Sequence, residues 1–400
     1  MALLNIQESA SNRPFSVFVL GFRPFFLAAG LIAVISMASW MAVYSLGLRL
    51  PLENLAPQFW HAHEMIFGFV MAVVAGFLLT AVRNWTGVQT LQYRGLMWLT
   101  ALWAGARICF LFGTEFILLA AILDVTFNFL LAISLLLPVV RVKQWMQAGI
   151  LSKIVLLGIC NLVFYLGVFG FVEKGMFWGL NGALFLLLAL VLTMGRRVMP
   201  MFIQNGVKYP VKLKNSTFLD MSSLVLLLGF AVSEVFFSHA LTSSVLAAAL
   251  FTISSIRLYN WHTRGIWSAP LLWGLYGAFV FLTFGFLLFA LMPYSPMITR
   301  SIAIHVFTVG GFALITLSMM SRVTLGHTGR DVLQPARWTW SAQLLIVTGA
   351  LVRTLCPMLL PAYYSQWILI SQVMWIIGFL LFVIINYSFL TRPRVDGAQG

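Results

Sequence analysis

The chain has 400 residues, of which 61% are hydrophobic and only 8% charged, with a formal net charge of +14. A soluble globular protein carries about a quarter charged residues, so that class is excluded. Nucleic acid is excluded as a partner by where the positive charge falls, between apolar runs rather than on a basic domain.

Nearly every stretch between short polar breaks is apolar for about 20 residues, the length that crosses hydrocarbon as a helix. In chain order the spans are predicted at 20–47, 58–82, 95–113, 115–140, 152–172 and 175–195, then 217–238, 240–258, 268–291, 297–321, 338–357 and 363–390. The expected fold is therefore all-α, one twelve-helix membrane domain over 1–400. Very short turns make antiparallel pairs of spans 3–4, 5–6, 7–8 and 11–12. The opening "MALLNIQESASNRPF" lacks the basic head, apolar run and small-residue site of a cleaved signal peptide. With the N-terminus inside, nineteen of the 24 basic residues fall on the cytoplasmic side, and only Arg49 and Lys174 lie in outer loops. The positive-inside rule then places both termini in the cytoplasm.

Titratable side chains within spans are costly and usually mark function. "QFWHAHEMIFGFV" (58–70) opens span 2 with His61, His63, Glu64 and Met65. Arg107 in span 3, Asp124 in span 4 and Glu234 in span 7 join Arg300 and His305 in span 10 and Arg353 in span 11. On this topology all fall in the outer half of the bilayer or at its edge, and Asp124 with Arg107 makes a neutralising pair. Residues two apart on a helix point about 200° apart, so His61 and His63 serve different partners. His61 shares the small-residue stripe Gly68, Ala72, Ala75 and Gly76, whereas His63 shares the bulkier Phe67, Val70 and Val74.

Neutral imidazole is the commonest protein ligand for haem iron and copper, and thioether sulfur suits reduced copper. The haem-ligand candidates are His61, His63 and His305. Arg107, Arg300 and Arg353 are candidates for the haem propionates, since a guanidinium pairs a carboxylate in a fork. Metal-ligand candidates are His61, His63, Glu64, Met65 and His305. Cys109, Cys160 and Cys356 are isolated and form no C-x-x-C-H, so any haem is held without a covalent bond, as haem b. At the inner face "MGRRVMPMF" holds Arg196 and Arg197, and "MMSRVTLGHTGR" holds Arg322 and His327. No Walker or G-x-G-x-x-G spacing occurs there.

Five phrases, "FRPFF" (22–26), "HAHEM" (61–65), "GFLLTAVRNWTG" (76–87), "GRRVMPMF" (195–202) and "SRVTLGHTGR" (321–330), together resemble the NnrS family of bacterial membrane proteins. The resemblance runs almost the full length. It implies a twelve-helix bacterial inner-membrane protein with haem and copper, linked to nitric oxide metabolism and nitrosative stress. If it is an enzyme, the reaction implied is reduction of nitric oxide to nitrous oxide, with electrons from a quinol or a cytochrome. A looser likeness is to the haem–copper oxidases, whose haem histidines also lie on the second and tenth spans. Their copper histidines on spans six and seven have no counterpart here except His239, just after span 7. The rival readings are a transporter or metal-handling protein, and a sensor or scavenger that binds nitric oxide without turnover.

Overall fold

A backbone in hydrocarbon must satisfy its own hydrogen bonds, as helices and closed barrels do, and apolar runs of about 20 residues have the length of helices. The computed structural model describes residues 16–53, 55–237 and 240–397; the first fifteen residues and His239 lie outside it. Among the described residues every regular element is helical and twelve helices are long and apolar enough to span a membrane. They are α1 Phe22–Tyr44, α2 Pro57–Thr86, α3 Tyr93–Phe112, α4 Thr114–Arg141, α5 Trp145–Val168 and α6 Gly175–Gly206. These are followed by α7 Thr217–Phe237, α8 Ala240–Trp261, α9 Pro270–Tyr294, α10 Arg300–His327, α11 Trp338–Leu359 and α12 Pro361–Thr391.

Local chemistry sets several of their ends. Pro57 and Pro270 stand in the first turns of α2 and α9, where a missing N–H costs nothing. The side chains of Ser216 and Thr299 accept from the N–H groups of Leu219 and Ile302 and so cap α7 and α10. Gly87 closes α2 at φ 68°, a left-handed conformation that glycine adopts without strain.

Each helix packs on the next, and α12 closes on α1. Arg23 ties that closure: its Nη1 donates to the carbonyls of Phe389, Leu390 and Arg392 at the end of α12, at 2.7–3.1 Å. Both described ends of the chain therefore share one face of the bundle, the proximal face, and the even-numbered helices begin on the opposite, distal face. Inside the ring α2 packs on both α6 and α10. The apolar windows of α2 and α10 are 83% and 78% buried, against 61% or less elsewhere, which makes these two the axial helices.

The axial helices are also irregular in matching places. Seven residues of α2, Glu64–Val70, and seven of α10, Val306–Phe312, are wound as π-helix. His63 is the last α-helical residue before the first, and His305 the last before the second. Gly68 and Gly310 occupy the fifth position of each. A shorter π segment, Ser233–Phe237, ends α7. Such segments are rare, and they widen a helix where a site must be shaped.

Candidate functional site at the distal ends of the axial helices

α2 delivers its polar residues to two different places, as the 200° separation predicts. His63 and Glu64 turn toward α3, α4 and α5. His63 Nδ1 lies 3.1 Å from Glu64 Oε1, and Nε2 lies 3.0 Å from Asn161 Oδ1 and 3.3 Å from Asp124 Oδ2. Arg107 of α3 closes the group, with Nε 3.1 Å from Glu64 Oε2 and Nη2 2.7 Å from Asp124 Oδ2. From α5, Asn161 Nδ2 and Tyr165 Oη donate to Asp124 Oδ2 at 3.0 and 3.3 Å. His63 and Asp124 are fully buried and Glu64 is 2% exposed. Because Asn161 gives its N–H₂ to Asp124, it turns its carbonyl oxygen to His63. Both nitrogens of His63 therefore face acceptors, and neither offers a lone pair to a metal. Two acids, an arginine and an imidazole thus form one buried group in which each polar side chain meets a partner of opposite charge or a hydrogen-bonding atom.

The π segment of α2 is held by the same neighbour. Arg107 Nη1 and Trp103 Nε1 of α3 donate to the carbonyls of Phe67 and Gly68 at 3.3 and 3.0 Å. Carbonyls loosened from the regular ladder thus find side-chain donors.

His61 turns the other way, toward α1, α10 and α11. Its ring stacks on Trp40 with centroids 4.4 Å apart and 13° between planes, and Trp40 stacks in turn on Tyr44. Its Nδ1 is buried with no hydrogen-bond partner. His305 and Arg353 are within electrostatic reach of it. His305 Nδ1 lies 2.6 Å from the Ser301 carbonyl, an acceptor only, so Nδ1 carries the proton and Nε2 keeps its lone pair. Arg353 Nη2 sits 3.3 Å from that Nε2 and 3.3 Å from Ser301 Oγ. Tyr44 and Tyr364 neighbour Arg353.

A third group lies at the same distal end. Arg300 of α10 pairs through Nε with Glu234 at 3.2 Å and donates from Nη2 to Asn181 of α6 at 2.8 Å. The pairing of Arg107 with Asp124 expected from the sequence is present. The five metal-ligand candidates are not brought together: His61 and His305 share one cluster, His63 and Glu64 belong to another, and Met65 is half-buried on α2. The three propionate candidates are likewise dispersed, with Arg107 and Arg300 already ion-paired and Arg353 beside a histidine. Asn161 and Tyr165 went unforeseen, although an asparagine in the apolar run "IVLLGICNLVF" was a legible signal.

The inner-face residues do not gather into one site. Arg196 faces Asp220 at 3.6 Å, Arg197 donates to Gln147 at 2.7 Å, and Arg322 lies over the Phe202 ring at 4.2 Å. His327 packs on Phe22, and its carbonyl accepts from Arg394 at 3.1 Å, so the tail after α12 is fastened to the end of α10. The phrases "FRPFF" and "SRVTLGHTGR" thus meet as a structural clasp.

A family model described as NnrS protein matches residues 16–394. No curated protein matches the chain.

Proposed function

The chain belongs to the NnrS family, and on that footing we propose that it is a haem b protein of the bacterial inner membrane acting in nitric oxide metabolism and nitrosative-stress defence. The site is assigned to the His61–His305–Arg353 cluster. Its placement in the outer half of the bilayer follows from charge: the positive-inside rule makes the distal face periplasmic.

The observation that carries this reading is a pair of histidines on the two axial helices: His61 Nδ1 is buried without a hydrogen-bond partner, and His305 Nε2 meets only the Arg353 guanidinium, at 3.3 Å. A buried orphan such as His61 Nδ1 costs about 1–3 kcal/mol unless something binds it. His305 donates from Nδ1 to a backbone carbonyl, which leaves the lone pair on Nε2, where it faces Arg353 Nη2. Arg353 stands beside it as a cation suited to a propionate. The Trp40 face supports the His61 ring and fixes its plane. These residues fit a haem held by imidazole. Bound there, haem supplies an iron centre that takes nitric oxide as a ligand, and the apolar bundle admits that uncharged molecule directly from the bilayer.

Copper does not fit the His63–Glu64 group. Both nitrogens of His63 are engaged and Glu64 is paired with Arg107. Among the described residues no three His, Cys, Asp or Glu side chains group as a metal site.

The test is an optical spectrum of the protein purified from haem-replete cells, with and without nitric oxide. The expected result is a Soret band that shifts with nitric oxide, from haem extractable by acid–acetone. His61→Ala and His305→Ala should each lose the haem or change its spin state. A colourless preparation would refute the haem reading and favour a transporter.

A further inference from the structure

At the proximal ends of the two π segments the bundle contains a cavity of about 90 Å³ between α2, α6, α9 and α10. Val74 and Phe77 of α2, Leu187 and Val191 of α6, Phe279 of α9 and Met319 of α10 are among its walls. Its nearest walls, Val70 and Phe312, stand nine and seven residues beyond His61 and His305, on the order of 10 Å along each helix at about 1.5 Å per residue. The histidines themselves are not among its walls, and the cavity lies on the proximal side of the proposed haem cluster. Thr316 is the one wall residue with a polar side chain, and its hydroxyl is spent on the Phe312 carbonyl at 2.6 Å.

Such walls select their occupant. A buried water needs two to four polar partners, and none is free here; an apolar cavity of this kind stays dry and takes up small apolar solutes. A quinone ring would need a donor for its carbonyls, and the lining offers none. An acyl chain needs several times the volume of about 90 Å³ that these walls leave. We propose that the cavity is a binding site for a small, uncharged, apolar gas. Naming that gas as nitric oxide rests on the functional reading above; the apolar-gas site itself does not.

Xenon is the probe, read by ¹²⁹Xe NMR on the full chain in lipid nanodiscs. The wild-type protein should show saturable xenon binding. Val191→Phe and Val74→Phe, which fill the cavity from two different helices, should each reduce it at least tenfold. Absence of a saturable site in the wild type overturns the proposal, as does undiminished binding in a folded, filled variant. A lipid or quinone retained in native mass spectrometry, and blocking xenon until it is stripped, also overturns it in favour of a lipophile site. Xenon binding needs no haem. A colourless protein that binds xenon would refute the proposed function and leave the cavity standing; a haem protein without xenon binding would do the reverse.

Discussion

His61 and His63 stand two residues apart and have opposite chemistry. His63 is surrounded by acceptors and completes a buried ionic group with Glu64, Arg107 and Asp124, while His61 is stacked on Trp40 with an orphaned nitrogen. Substitution should separate the two roles. Breaking a buried pair leaves its partner's charge uncompensated, at a cost of about 3–5 kcal/mol. Arg107→Met should therefore lower thermal stability in detergent sharply, and Arg107→Met with Asp124→Asn should recover part of the loss. His63→Ala should behave like Arg107→Met, losing folded protein in proportion to total yield, with haem per folded molecule retained. His61→Ala should do the opposite, keeping the fold and losing the haem. A His63→Ala protein of wild-type stability that has lost its haem would exchange the roles of the two residues.

Among elements, the π segments are the features that sequence reading could not see. All twelve helices were legible, because apolar length is a strong signal, and their ends follow proline and capping positions at Pro57, Pro270, Ser216 and Thr299. An i→i+5 turn changes neither apolarity nor length, so nothing in "EMIFGFV" or "VFTVGGF" announces it. The equal spacing of His63–Gly68 and His305–Gly310 was its one trace in the sequence, and it becomes meaningful once both histidines are seen to precede π turns. The two glycines differ in what surrounds them. A Cβ on Gly310 would lie 2.3 Å from the Phe281 ring, between α9 and α10, where nothing flexible can yield. One on Gly68 would meet Glu64 Oε2 at 3.2 Å and Arg107 Cδ at 3.4 Å, the ends of longer side chains. Overpacking typically costs about 1–3 kcal/mol, so Gly310→Ala should lower the unfolding temperature clearly. Gly68→Ala should change it less, and equal losses would show that both π segments are equally rigid.

For the molecule as a whole, the sequence made the distal clustering of costly residues legible, since independent spans place them at one depth. It could not say which partners they choose, because depth along a helix fixes height and not azimuth; only the packing of α2 against α3–α5 on one side and α10–α11 on the other divides the group. Everything assigned to the periplasmic side depends on orientation, which geometry leaves free and charge decides. Two exposed loop residues test it. Glu53, before α2, belongs to the distal face, and Gln334, between α10 and α11, to the proximal one; both side chains are exposed, whereas neighbouring Leu55 is 1% exposed and would not report. In a background with Cys109, Cys160 and Cys356 replaced by alanine, Glu53→Cys should react with a membrane-impermeant maleimide added outside intact spheroplasts. Gln334→Cys should react only after the membrane is permeabilised. The reverse pattern would move the histidine cluster to the cytoplasmic half, where nitric oxide would still reach it through the lipid but where any protein electron donor would have to be cytoplasmic.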